Sequence, residues 1–409
     1  MALARPITQH QTSLSNGLKL IGEVNPRSHA VALGYFVKTG SRDEPAELSG
    51  VSHFLEHMVF KGTIKRSALE ISFALGDLAA QANAYTSDEQ TVYYAAVLPE
   101  YFTDLHDLLT DMVRPSLPKE DFDMEKKVIL EEIALYQDRP HFYLFENAQR
   151  DFFAGHSAGN SILGTTQSVS AISRDAMMGY HKERYTPDNM TLVASGNFEW
   201  DSFVGLTQEL AGDWKGKKIE RDLQPFNPSI VEKVYKKSSI LQSHVLLMGP
   251  GPAAGDPDRY AAGLLGMILG DSVGSRLYWS LIDSGLADSA GCDSDDKDGV
   301  GCFYAYASST SAEFARVQEI LRAEIEKPSP FTETELERAK NKLLSRVVLD
   351  GELPMGRLMA LGAEWQYRAK LHRLEEEIES IKGVKLQEVQ QSFEKYLSNG
   401  LSCFTLLPS

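Results

Sequence analysis

The chain has 409 residues, too many for one ordinary core, so two or more domains of about 100–200 residues each are expected. Hydrophobic residues make up 43% and charged residues 24%, the balance of a soluble globular protein. The formal net charge of −16 argues against a general nucleic-acid binder, which needs a basic surface to replace counterions, and suits basic ligands or substrates.

The first half reads as mixed α and β. Residues 17–24 and 30–37 carry apolar strand patterns joined by a turn around Pro26-Arg27-Ser28. A helix is expected from Ser49 to Phe60, stopped near Gly62. Thr91–Val97 is the next strand, and helices follow over 101–113, 119–136 and 174–185. Thr191–Ser195 is a short apolar strand that ends at Gly196-Asn197. A less periodic stretch with Lys215, Lys217, Lys218, Arg221, Pro225 and Pro228 reads as a linker.

The order then roughly repeats. A strand over 244–248 ends in Gly249-Pro250-Gly251-Pro252, and helices are expected over 259–269 and 275–283. A strand over 303–308 is followed by helices over 312–326, 333–349 and 355–367, and a strand over 401–407 closes the chain. This order predicts an α+β protein of two similar sandwich domains, each an antiparallel-rich sheet packed with helices. The expected boundaries are 1–215 for the first domain, 216–234 for the linker and 235–409 for the second.

Three cysteines, Cys292, Cys302 and Cys403, form neither a disulfide framework nor a thiolate metal set, and a reducing compartment is the simplest fit. Residues 1–6 show no apolar run and no cleavage site, so no signal peptide is visible. No stretch of about 18 apolar residues is present to span a membrane.

The strongest local signal is His53-Phe54-Leu55-Glu56-His57. On a helix, positions three and four apart share a face, so His53, Glu56 and His57 point together. Two imidazoles so placed can hold one zinc ion with a carboxylate beside it, the inverted order of the commoner zinc-peptidase motif. Zinc lowers the pKa of bound water, and Glu56 can take the proton. A catalytic zinc needs a third protein ligand. The helix around Met124–Ile133 offers carboxylates at Glu125 and Glu132, two turns apart on one face, with Val128, Ile129 and Ile133 expected to bury the adjoining face. Spacing alone does not choose between them.

The run Gly50–Thr63 (GVSHFLEHMVFKGT) closely resembles the pitrilysin/insulinase family of zinc peptidases, nearest the mitochondrial processing peptidase type and its short bacterial relatives. Asn83–Tyr94, Val128–Ile133, Leu163-Gly164-Thr165 and Tyr185–Met190 also fit that pattern. The resemblance spans the chain and is looser in the second half. It implies Glu132, not Glu131, as the third zinc ligand, with one Zn2+ per chain. It implies that Glu125 supports the site from behind and matters for turnover. It places Asn83 and Ala84 on an edge strand that pairs with substrate backbone, as suits an enzyme of broad sequence tolerance. The fold it implies is one half of a clamshell. The expected compartment is the cytoplasm, with the periplasm or mitochondrial matrix after loss of a targeting segment as the alternative.

One departure stands out. Self-sufficient members carry an Arg and a Tyr in the second half that steady the substrate carbonyl. Aligned on Ser275-Arg276-Leu277 and Gly285-Leu286-Ala287, this chain has Leu281 and Asp288 there. Leu281 has no donor, and an ionised Asp288 would repel an oxyanion. The expectation is a zinc metallopeptidase subunit that acts on peptides or unfolded segments, in a heterodimer with a related zinc-free chain that brings the missing pair. Two alternatives are a structural or assembly subunit without activity and a peptide-binding module with a structural zinc.

Overall fold

The computed structural model describes residues 6–409. The chain forms two compact units. The first holds the chain to Ile133, Asn160–Asp222 and Val348–Arg373. The second holds Ala134–Gly159, Leu223–Val347 and Leu374–Ser409.

The first unit is built on β1 (Thr8–Ser13), β2 (Lys19–Val24), β3 (Val31–Val37), β4 (Gln81–Thr86), β5 (Thr91–Val97) and β6 (Met190–Gly196). They form one six-stranded sheet in the order β1-β2-β6-β3-β5-β4. Only β2 and β6 run parallel; the other neighbours are antiparallel. The two strands joined by the Pro26 turn are therefore not sheet neighbours, because β6 lies between them.

The second unit contains β7 (Glu232–Lys237), β8 (Gln242–Gly251), β9 (Ser289–Lys297), β10 (Val300–Thr310) and β11 (Ser402–Pro408). Their order is β7-β11-β8-β10-β9, again with one parallel pair, β7 with β11. This repeats β2-β6-β3-β5-β4 strand for strand. The α+β class and the two related domains expected from the element order are present. β8 runs on through Gly249-Pro250-Gly251, which reads in sequence as the end of the strand.

Each sheet is covered on one face by a helix from the opposite half of the sequence. The helix Pro354–Arg368 buries Leu358 and Leu361 against Ile21, Ala32, Phe36, Val92 and Val193 of the first sheet. Gly362 is required there, since a Cβ would collide with the Phe36 ring. Arg357 on the same helix donates to both carboxylate oxygens of Glu23 on β2, at 2.8 and 2.7 Å, with both residues buried. Conversely, the helix Pro140–Phe152 buries Leu144, Ala148 and Phe152 among Leu246, Met248, Tyr306, Phe404 and Leu406 of the second sheet.

Candidate metal centre

The site residues come from two helices and one edge strand of the first unit. The helix Val51–Val59 buries Val51, Phe54, Leu55, Met58 and Val59. That apolar face fixes the helix and turns His53, Glu56 and His57 to a common side. Gly50 precedes it at φ 91°, a left-handed conformation that favours glycine, and a Cβ there would sit 2.6 Å from the Leu163 carbonyl oxygen. No side chain caps the helix locally. Instead, the buried Glu44 carboxylate accepts from the N–H groups of Gly50 and Ser52, at 2.7 Å each. The loop that carries Glu44 is itself pinned. Asp43 pairs with Arg184 and Arg221 at 2.8 Å each, and Arg42 with Glu89 at 2.5 Å, all with little exposure.

The second helix, Lys119–Asp138, packs beside the first through Phe122, which stacks on Phe54 at 4.8 Å between ring centroids. Phe122, Glu125, Ile129 and Ile133 are its buried positions. Val128, expected in sequence to share that face, is 44% exposed, because the buried stripe follows 122, 125, 129 and 133 instead.

This packing brings three donor atoms together. Glu132 Oε2 lies 3.8 Å from His53 Nε2 and 3.7 Å from His57 Nε2. These separations are too long for hydrogen bonds and suit ligands around one ion. His53, His57 and Glu132 form a group able to hold a metal, with one donor atom from each lying within 4.8 Å of the others. Glu131, next in sequence, is exposed.

Protonation favours the same use. Burial, helped by His57, pushes the His53 pKa down to about 3, so the ring is neutral and keeps a lone pair. His53 Nδ1 is buried without a hydrogen-bond partner, so packing alone orients that ring. His57 is held differently. Its Nδ1 lies 2.8 Å from Glu125 Oε1, and the other Glu125 oxygen is 2.7 Å from Lys61 Nζ. Burial raises the Glu125 carboxyl, but the hydrogen bonds from Lys61 and His57 outweigh it and hold its pKa below the usual range. An ionised carboxylate only accepts, so Nδ1 of His57 carries the hydrogen and Nε2 is left free to ligate. Two imidazoles and a carboxylate are a donor set that fits zinc.

Glu56 is half-buried beside these groups, and Thr86 Oγ1 donates to its Oε2 at 2.7 Å. Burial raises the Glu56 carboxyl above its ordinary value, with Glu132 adding to the rise and Thr86 and His57 opposing it. Thr86 ends β4, which forms the outer edge of the first sheet. Asn83 and Ala84 lie on that strand, paired on one side with Tyr94 and Tyr93 of β5. The Asn83 side chain accepts from the Ala84 N–H at 2.8 Å.

Comparison with known proteins gives the family. The insulinase model, peptidase family M16, matches residues 19–166, and the M16 inactive-domain model matches residues 171–343. A Bacillus subtilis protein described as the uncharacterized zinc protease YmxG is 31% identical over 91% of this chain and 92% of its own length. The chain belongs to peptidase family M16.

An uncharacterized zinc protease of Mycobacterium tuberculosis is also 31% identical, over 99% of this chain and 94% of that protein. Among solved structures, a protease from Helicobacter pylori superposes with a TM-score of 0.90 at 19% identity, covering 98% of this chain and all (100%) of that one. A chain of Complex III2 from Candida albicans superposes at 0.80 with 17% identity, covering 97% and 95%. At those identities the likeness concerns the fold alone.

His53, Glu56 and His57 of one helix are brought beside Glu132 and Glu125 of the next. Thr86, Lys61 and Glu44 carry no sequence signal for their contacts. Lys61 and Thr86 stand inside the runs that carry the resemblance, but their contacts cross between elements. Glu44 reaches a helix end six residues away with no capping-box spacing to betray it.

The second-half departure also has a structural form. Leu281 lies in a short π-helical turn, Tyr278–Ile282, and is fully buried in the second unit's core. Asp288 is exposed and accepts from Gln242 Nε2 at 2.8 Å. Among the described residues, no helix is long and apolar enough to cross a membrane.

Proposed function

We propose that this chain is the metal-bearing subunit of a zinc metalloendopeptidase. The observation that carries the reading is the convergence of His53 Nε2 and His57 Nε2 on Glu132 Oε2 beside a half-buried Glu56. His53, His57 and Glu132 would hold one zinc ion. When bound, zinc supplies a Lewis acid that polarises a carbonyl and acidifies water. Glu56 takes the proton from the attacking water as its oxygen bonds the scissile carbon. It then passes the proton to the amine as the C–N bond breaks. Its raised proton affinity suits both transfers. Thr86 fixes which carboxylate oxygen faces the metal group. The outer edge of β4 can pair with an extended peptide at Asn83 and Ala84, the peptide displacing the Asn83 side chain from the Ala84 N–H.

Leu281 and Asp288 supply no donor for a developing oxyanion, which supports a second, related chain as the source of Arg and Tyr. The two would face each other as halves of a clamshell. Three free, buried cysteines fit a reducing compartment, and we assign the cytoplasm.

The test is Glu56→Gln on the purified chain, alone and with any co-purifying relative. The expected variant keeps about one zinc per chain and loses hydrolysis by about 100-fold or more. Unchanged activity would remove Glu56 from the mechanism. The alternative, an assembly subunit without activity, draws on the fold shared with the Complex III2 chain. It predicts no peptide hydrolysis in either preparation.

A further inference from the structure

We propose that Lys61 is a positioning residue for the metal centre, acting through Glu125 on His57. The inference rests on the zinc reading of the site and adds a residue to it.

Lys61 sits two residues beyond the end of the helix that carries both histidines. Glu125 sits two turns, about 10 Å, before Glu132 on the neighbouring helix. The ammonium of Lys61 lies 2.7 Å from one Glu125 oxygen, and His57 Nδ1 lies 2.8 Å from the other. Glu125 is 5% exposed, and the Lys61 side chain is 33% exposed. The pair is therefore unlike a surface ion pair, whose partners are both solvated and whose contribution is small.

The geometry gives Lys61 two effects. It fixes the rotation of the Glu125 carboxylate, so that one oxygen stays aimed at His57. It also adds a polar tie between the end of the histidine helix and the helix that carries Glu132, beside the Phe54–Phe122 packing. His53 has no such partner, since its Nδ1 makes no hydrogen bond. Of the two imidazoles, His57 is thus the one whose orientation depends on the relay from Lys61 through Glu125. Without Lys61, solvent would enter where its one-third-exposed side chain had been, and the Glu125 carboxylate would turn toward that water at the expense of His57.

The experiment uses the full chain as wild type, Lys61→Met and Lys61→Arg. Zinc affinity is measured by competition with a chromogenic chelator, and the melting temperature of the zinc-free protein is measured alongside. Lys61→Met is expected to weaken zinc binding by about 10–100-fold, the range seen when groups behind metal ligands are removed. Its zinc-free melting temperature should stay close to wild type, and Lys61→Arg should recover most of the affinity. Wild-type affinity in Lys61→Met would overturn the proposal. So would a loss that tracks zinc-free stability or that arginine does not restore. His57→Ala and Glu132→Ala separate the two readings. If they abolish zinc binding while Lys61→Met does not, only the role of Lys61 fails. If they too leave zinc affinity unchanged, the zinc centre itself is refuted.

Discussion

Thr86 donates its hydroxyl to Glu56 Oε2 at 2.7 Å, so the edge strand β4 and the histidine helix share one side-chain hydrogen bond. The strand suited to hold a peptide and the carboxylate suited to move its proton are therefore positioned together. Thr86→Val keeps the shape and deletes the donor. A hydrogen bond to a charged group contributes about 1.5–3 kcal/mol, so kcat should fall by about 10-fold or more while KM changes little. Thr86→Ser should retain most activity. Steady-state kinetics on an unstructured peptide checks both.

Metal removal should destabilise the first unit measurably. A ligand at about 1,000 times its Kd stabilises the native state by about 4 kcal/mol. Chelator should therefore lower the melting temperature of the wild type, and added zinc should restore it. His53→Ala should melt at one temperature under both conditions. Differential scanning calorimetry gives the comparison, and a chelator effect that survives in His53→Ala would place the stabilising metal elsewhere.

Glu44 gives a pH dependence with a defined sign. Burial raises its folded-state pKa to about 8, against the Ser52 and Gly50 N–H groups, which lower it, and Asp43, which adds to the rise. The ordinary carboxyl value, 4.5, applies in the unfolded chain. A raised carboxyl means the folded state binds the proton more tightly. Its stabilising effect is complete below about pH 4.5 and is lost as pH rises through about 8. Wild type should therefore lose stability relative to Glu44→Gln across that window, by a few kcal/mol at most. Urea unfolding at pH 5, 6.5 and 8 on both proteins measures it, and a constant difference would show that the helix N-terminus keeps Glu44 ionised throughout.

Arg357 and Glu23 form a buried pair between an exchanged helix and β2. Arg357→Met leaves the carboxylate buried without its partner, and a loss of about 3–5 kcal/mol is expected. Glu23→Gln combined with Arg357→Met should be less damaging than the sum of the single changes. A double-mutant cycle by chemical denaturation supplies the coupling energy.

Much of this was legible in the sequence because its signals are local. The His53–His57 run needs only helical periodicity to bring its side chains to one face. Val31–Val37 and Thr91–Val97 are apolar enough to declare buried strands. The choice of Glu132 over Glu131 came from the family resemblance, because periodicity within one helix does not say how two helices pack, here through Phe54 on Phe122. Val128 was misplaced for the same reason, since a stripe one residue wide shifts with the crossing of its neighbour. β1 and β4 escaped the periodicity reading because edge strands such as Thr8–Ser13 and Gln81–Thr86 are half-exposed and polar. The crossing of Pro140–Phe152 and Pro354–Arg368 to the opposite sheets leaves no local mark at all, because each helix has the same apolar stripe whichever sheet receives it.

That crossing has a consequence for how the chain can be cut. The segment 216–231, before β7, has no regular secondary structure and would be the natural place for a nick. Two fragments made there would not be two independent domains. The first would hold the helix that closes the second sheet's core, and the second would hold the helix and the Arg357 that close the first. Neither piece could complete its own interior, and after a nick each would keep the other folded. The two halves repeat one topology, yet each sheet's covering helix is encoded in the other half of the chain.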